Sequence, residues 1–142
     1  MNHLKLCPGT FTYSPEDDDL RRTLLISRLL IDGKDFIKEV RYWTRDKYLS
    51  PLEPEILYDM LHHEWKHMDK VFIAGCSCGQ PDCDPLKVHI EEKKYTMIWS
   101  QLTHMDDHTN VFDINPIICD KEEYFAELAA MREWMLENWI IE

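Results

Sequence analysis

The sequence is poor in glycine and proline, with four glycines and seven prolines among 142 residues. No stretch collects them into a linker or a low-complexity segment, so we expect a single domain over residues 1–142. Long apolar runs are also missing, since none approaches the roughly 20 residues that cross a bilayer. The first 19 residues contain no apolar stretch suited to a secretory signal. These absences predict a cytoplasmic protein without a membrane segment, whose five cysteines are reduced thiols.

Positive charge is scarce as well, with 16 Lys and Arg residues against 27 Asp and Glu residues and a net charge of -11. This shortage predicts no nucleic-acid partner, because phosphate contacts require a basic face. The charge is uneven: residues 71–142 carry 5 basic and 14 acidic residues. Such an acidic half favours capture of a basic protein, and the competing interpretation is a solvated face that keeps the chain soluble. Glycine-rich phosphate loops and the Gly-x-Ser-x-Gly motif are absent, so nothing in the sequence requires an enzyme.

Apolar patterns predict an α+β fold with a single antiparallel sheet of about five strands. Residues 85–90 alternate apolar and polar side chains before a polar turn and a second alternating run, which is typical of a hairpin. Asp32-Gly33 after an apolar run is a turn signal, whereas residues 35–42 are ambiguous between strand and helix. The predicted strands cover residues 10–13, 23–31, 71–74, 85–90, 95–102 and 111–118, the last being an edge strand interrupted by Pro116.

Two main helices are expected to pack on this sheet. Pro54 at a first helical position predicts a helix over 54–67 with an aliphatic buried face. Asp120 as N-cap, with Glu123 three residues later, predicts a C-terminal helix over 120–138. Trp134 points away from its apolar face, so it either lies on the surface, where it suits a binding site, or packs under a neighbouring loop. The apolar face consists of Tyr124, Phe125, Leu128, Met131, Met135 and Trp139.

Three cysteines fall within eight residues, at Cys76, Cys78 and Cys83, framed by glycines that permit tight turns. Converging thiolates bind zinc, and a closed tetrahedral site needs a fourth ligand. Alternatively, small thiols fill a buried turn or serve redox chemistry. The preferred prediction has no cofactor, and the alternative is one structural zinc. The candidates for the fourth ligand are Cys119, His89, His104 and His108.

His63, Glu64 and His67 form the pattern His-Glu-x-x-His. On a helix, the two imidazoles lie one turn apart and can share a zinc, with the carboxylate as general base. Lys66 stands where zinc proteases usually carry an uncharged residue, and no third ligand follows at a familiar spacing. The competing interpretation is a polar last turn whose His and Lys side chains suit the helix C-terminus. A metal-dependent hydrolase is therefore the third hypothesis.

The cysteine segment is part of a longer pattern. An apolar strand leads into Gly-Cys-Ser-Cys-Gly and Cys83, then come Pro85-Leu86 and a strand, Trp99-Ser100, an acidic Phe-Asp turn and a helix that carries Tyr124. This order resembles a family of small uncharacterised bacterial proteins, over about residues 23–130. The resemblance implies a domain type rather than an activity.

Small, acidic, single-domain bacterial proteins of this kind are often immunity proteins, which neutralise toxin domains by tight binding. The acidic half agrees with this class, because a negative surface accelerates capture of a basic nuclease. We therefore expect a non-enzymatic inhibitor, most concretely an immunity protein for a secreted bacterial toxin, with a basic toxin domain as its partner. The predicted contact surface consists of Asp106, Asp107, Asp113, Glu127, Glu133, Trp134 and Glu137.

Overall fold

Two antiparallel sheets and three helices make an α+β fold, as the sequence predicts. The computed structural model describes residues 1–13, 22–46, 49–76, 85–104, 114–138 and 140–141. The strands are β1 (Leu4–Tyr13), β2 (Arg22–Ile31), β3 (Lys34–Asp35), β4 (Leu49–Pro51), β5 (Val71–Cys76), β6 (Leu86–Glu92), β7 (Thr96–His104) and β8 (Ile117–Asp120). The helices are α1 (Phe36–Thr44), α2 (Pro54–His62) and α3 (Lys121–Glu137).

The larger, curled sheet has five strands in the order β4-β5-β6-β7-β8, and α2 and α3 pack with it as expected. The structure adds a smaller sheet, in the order β1-β2-β3. Asp32 and Gly33 connect β2 to β3 with φ of 54° and 80°, the pair of positive values that a two-residue hairpin turn needs. The ambiguous segment after this turn is helical, because Asp35 caps α1 by accepting a hydrogen bond from the Lys38 N–H at 3.0 Å.

The predicted helix over 54–67 is wrong in its extent. α2 ends at His62, and a single 3₁₀ turn follows over Glu64–Lys66. A continued α-helix would place the Glu64 carboxylate on the buried stripe that contains Leu57 and Leu61. Burial of an unpaired carboxylate is unfavourable, and the change of geometry after His62 leaves Glu64 half-buried instead.

The C-terminal helix is confirmed. The Asp120 carboxylate accepts a hydrogen bond from the Glu123 N–H at 3.0 Å, which makes Asp120 the N-cap of α3. The Glu123 carboxylate does not complete the predicted capping box, because it lies 3.2 Å from the His3 Nδ1. Four residues of the predicted apolar face are buried, and Trp139 lies outside the described residues: the buried residues are Tyr124, Leu128, Met131 and Met135.

A bulge divides β7 into two halves. In the first half the buried side chains are Met97 and Trp99, both odd-numbered. The ladder to β6 then shifts by one residue at Gln101, which has φ of 53°. After the bulge Leu102, Thr103 and His104 are all buried. His104 pairs with the core residue Leu86 and therefore shares its side of the sheet. The extra residue therefore turns His104 toward the core face, which plain alternation along β7 would not do.

The predicted edge strand over 111–118 begins later than expected. β8 pairs with β7 only from Ile117 onward, and residues 111–113 lie outside the described residues. Pro116 has no N–H to donate to a ladder, so pairing starts immediately after it.

Hydrogen bonds join the two sheets on both sides. The Asn2 N–H donates to the Ile118 carbonyl at 2.7 Å, and the Ile118 N–H donates to Asn2 Oδ1 at 2.9 Å. On the other side, the Ser27 N–H of β2 donates to the carbonyl of Leu52, just beyond β4, at 2.9 Å. Both sheets and all three helices consequently contribute to one continuous hydrophobic core.

One polar pair lies inside this core. The Trp99 Nε1–H donates to the Tyr124 hydroxyl at 3.2 Å, and the two rings meet edge to face. Burial raises the pKa of the Tyr124 hydroxyl far above its usual range, because the charged form would lose its hydration. The pair fixes α3 against β7.

Candidate functional site

The outward side of α3, at whose border Arg132 is an exposed cation, is mainly acidic. Its exposed residues repeat at intervals of three and four and therefore share one side of the helix. Among the described residues, no ion pair joins a carboxylate of this side to a cation, and the Lys121 Nζ lies 3.0 Å from the Glu92 Oε2 instead. We refer to this set as the α3 face: Glu122, Ala126, Ala129, Ala130, Glu133, Leu136 and Glu137.

The predicted contact residues fall into three groups. Glu133 and Glu137 belong to the α3 face. Glu127 and Trp134 lie on the flank of α3 that is turned toward β1, where Trp134 is half-buried and packs against the core. Asp106, Asp107 and Asp113 lie outside the described residues.

Glu127 is engaged within the chain. Its Oε1 accepts a hydrogen bond from the Leu6 N–H at 2.9 Å. This N–H is on the side of β1 that faces away from β2, where an uncovered strand would present unpaired backbone groups. The Glu127 carboxylate thus covers the outer edge of β1, and one turn earlier Glu123 contacts His3.

Five members of the α3 face were not among the predicted contact residues, namely the three alanines, Glu122 and Leu136. Leu136 is 42% exposed, although most leucines of this chain are buried. On the helical wheel Leu136 is only about 80° from Leu128, so it lies at the border of the buried side. Glu122 lies across the wheel from the buried Tyr124 and Met131. The exposure of Glu122 could therefore be predicted from the helical period of α3.

Cys76 and His104 lie at the same end of the larger sheet. Cys76 is the last residue of β5, and Cys78 and Cys83 lie outside the described residues. In the ladders, Leu86 pairs with Ala74 on one side and with His104 on the other. The end of β5, the start of β6 and the end of β7 therefore coincide, so Cys76 and His104 are at the same end of the sheet.

His104 forms a largely buried pair with Asp46. The His104 Nε2 lies 2.9 Å from the Asp46 Oδ2, and each side chain is 11% exposed. Asp46 follows α1, where its N–H donates to the Thr44 hydroxyl at 3.2 Å. Because a carboxylate only accepts, the Nε2 of His104 carries a proton, and in the neutral imidazole the Nδ1 is then the nitrogen with a lone pair.

The other proposed fourth ligands are differently placed. Cys119 is buried in β8 opposite Met97, roughly 20 Å along the sheet from His104 at the usual rise per residue. Burial, reinforced by Asp32 and Glu123, raises the pKa of the Cys119 thiol to about 11. The His89 Nδ1 donates to the Asp69 carbonyl at 2.7 Å, and His108 lies outside the described residues. In the described part of the chain, no three His, Cys, Asp or Glu side chains group to hold a metal.

The His-Glu-x-x-His segment does not lie on one α-helix. His63 follows the end of α2 with φ of −128°, and the 3₁₀ turn separates it from His67. The two exposed imidazoles nevertheless touch edge to face, with ring centroids 4.8 Å apart. This geometry differs from the two ligands one helical turn apart that the hydrolase hypothesis requires.

Comparison with models of protein families, with curated proteins and with solved structures finds no match for this chain. No helix among the described residues is long and apolar enough to cross a membrane.

Proposed function

We propose that this protein is a non-enzymatic inhibitor that binds a basic protein, most concretely an immunity protein that neutralises a secreted bacterial toxin. The observation that supports it is the α3 face. There, Glu122, Glu133 and Glu137 are exposed, and no ion pair within the described residues neutralises them.

The shape of the α3 face suits a protein partner. Its three alanines have small side chains, so another protein surface can approach the helix backbone closely. Leu136 supplies apolar area beside Glu133 and Glu137. Carboxylates around such a contact increase the association rate of a basic partner and orient it, whereas the buried centre sets the dissociation rate.

The test is capture by the tagged full-length chain from its host's lysate at low salt, with identification by mass spectrometry. Wild type is compared with Glu133→Lys/Glu137→Lys and with the control Glu53→Lys/Glu55→Lys, which changes the charge equally at exposed positions beside α2. We expect wild type and the control to retain one basic toxin domain in a stoichiometric amount. The α3-face variant should bind this domain at least about tenfold more weakly.

Two results would contradict the proposal. Equal capture by all three proteins would remove the α3 face from the interface. If wild type retained no basic protein from cells that produce the toxin domain, the proposed inhibitor function would be wrong.

A second candidate function, zinc binding, is favoured by the orientation of His104. Metal-ligating histidines usually donate their second ring N–H to a carboxylate, which fixes the ring and raises its basicity. The His104 Nε2 and Asp46 make this contact at 2.9 Å, at the end of the sheet where the cysteine segment begins. In this candidate, Cys76, Cys78 and Cys83 are the thiolate ligands and the His104 Nδ1 is the fourth.

Zinc content of the untagged chain, measured by elemental mass spectrometry, tests this candidate. We expect one zinc per chain, its loss in Cys78→Ser and His104→Ala, and roughly 10–100-fold weaker affinity in Asp46→Asn. Cys7→Ser, in the half-buried β1 thiol, is the control and should retain zinc. A wild-type chain that binds no zinc on titration would contradict the candidate.

A further inference from the structure

The outward side of α1 has the opposite character from the α3 face. Lys38, Tyr42 and Arg45 are exposed and share the side of the helix away from the buried Phe36, Ile37 and Val40. Tyr42 is 84% exposed, and the neighbouring Trp43, at the border of this side, is 47% exposed. We refer to Lys38, Tyr42, Trp43 and Arg45 as the α1 face. Tyrosine, tryptophan and arginine are the residue types most enriched at energetic centres of interfaces.

Two acids near the α1 face are engaged elsewhere, whereas Glu39 of α1 is half-buried beside Lys38. The Asp35 carboxylate accepts the hydrogen bond that caps α1, and the Asp46 carboxylate pairs with His104. Among the residues that the structure describes, no ion pair joins Lys38 or Arg45 to an acid. The α1 face is therefore a cationic and aromatic surface on a chain whose net charge is -11.

Arg45 also has an unfavourable backbone conformation. It follows α1 with φ of 58° and ψ of 22°, the left-handed region in which helices usually place glycine. A side chain at this position is destabilising relative to glycine, because its Cβ crowds the following carbonyl oxygen. The Arg45 side chain is exposed at this end of α1.

The geometry points to head-to-tail self-association, in which the α1 face of one copy docks on the α3 face of a second copy. The cations and aromatic rings of one surface complement the carboxylates and Leu136 of the other. Within one chain the two surfaces cannot meet, because α1 packs on β2, β3 and β4, whereas α3 packs on β1, β7, β8 and α2. Each copy therefore keeps one unused surface of each kind.

This arrangement has a distinctive symmetry. Two different surfaces form the contact, so the interface is heterologous and extends into rings or open chains rather than stopping at a symmetric dimer. The net charge opposes assembly only weakly at physiological salt, where the Debye length of about 8 Å screens distant charges. The inference does not rest on the proposed toxin partner, because it requires this chain alone.

Sedimentation equilibrium of the untagged chain over a wide concentration range tests the inference. Wild type should show a mass that rises with concentration above the 17.1 kDa of the monomer. Lys38→Ala/Tyr42→Ala in the α1 face and Glu133→Ala/Glu137→Ala in the α3 face should each remain monomeric. Alanine is favourable at exposed helix positions, so circular dichroism should show both variants folded.

Mixing the two variants provides the decisive measurement. Each retains the surface that the other lacks, so an equimolar mixture should form a 1:1 dimer with about twice the monomer mass and grow no further. Arg45→Gly should weaken wild-type association while raising thermal stability, which separates loss of contact from loss of fold. The control Glu53→Ala/Glu55→Ala should associate like wild type.

Three outcomes would overturn the inference. A wild-type chain that remains monomeric at the highest concentration shows that the surfaces do not bind each other. A mixture in which both variants stay monomeric shows that an intact α1 face and an intact α3 face do not bind each other. Unchanged association in both double variants places the contact elsewhere on the chain.

Discussion

Replacement of Glu127 by alanine should destabilise the fold, because it removes the acceptor of the Leu6 N–H at 2.9 Å. A hydrogen bond to a charged group contributes about 1.5–3 kcal/mol, and this one is only partly buried, so we expect a loss of about 1–2 kcal/mol. For a chain of this length, that loss corresponds to a decrease in Tm of roughly 3–6 °C. Glu133→Ala, at an exposed position on the same helix, should remain within about 0.5 kcal/mol of wild type.

Urea unfolding and amide hydrogen exchange are the assays. Glu127→Ala should lower the free energy of unfolding and accelerate exchange at the Leu6 amide, since the outer edge of β1 becomes accessible to water. Glu127→Gln is the matched variant, because it keeps the size and an acceptor oxygen while removing the charge. It should lose about half as much stability as the alanine variant, since a neutral hydrogen bond is about half as strong.

The reasoning would be refuted by a Glu127→Ala chain with wild-type stability and unchanged exchange at Leu6. Such a chain that also lost the basic partner would assign Glu127 to the contact surface, as the sequence predicts, rather than to the edge of β1. Stability and capture measured on the same variants therefore distinguish the two roles.

Three further predictions concern stability and pH. Tyr124→Phe should reduce the free energy of unfolding by about 1–2 kcal/mol, because the Trp99 Nε1–H is left buried without an acceptor; an unchanged urea midpoint would contradict this. Arg45→Gly should raise stability by about 0.5–1 kcal/mol, which thermal unfolding measures, since glycine adopts the left-handed conformation without strain. The pKa of Cys119 is raised from 9.0 to about 11 in the folded chain, so its contribution to stability is fully present below pH 9 and is lost as the pH rises toward 11. Urea unfolding between pH 8 and 11 checks it, and Cys119→Ala should make the pH dependence shallower.

Local patterns in the sequence predicted the elements that depend on local interactions. The Asp32-Gly33 turn, the β6–β7 hairpin and the Asp120 cap each rest on residues that are neighbours in the chain. The bulge at Gln101 was not predicted, because glutamine carries no signal for a positive φ. The sequence did contain a signal for the end of α2 at His62. In a continuous helix, the Glu64 carboxylate would lie on the apolar stripe.

The candidate sites also contain residues that local sequence patterns predict and residues whose role depends on contacts between distant parts of the chain. Helical periodicity places Glu133 and Glu137 on one exposed face, so this part of the surface is readable from the sequence. The role of Glu127 depends on its proximity to Leu6, which only the assembled sheet creates. Likewise, the pair of His104 with Asp46 joins the end of β7 to the residue after α1, and no spacing in the sequence indicates it.

The contact between β1 and α3 has a consequence for the order of events during synthesis. Leu6 and Glu127 are 121 residues apart, and a ribosome adds about 5–20 residues per second, so roughly 6–24 s pass between them. During this interval β1 can already pair with β2, while its outer edge has no cover. An incomplete chain exposes this edge to other nascent chains and to chaperones, and emergence of α3 ends the exposure.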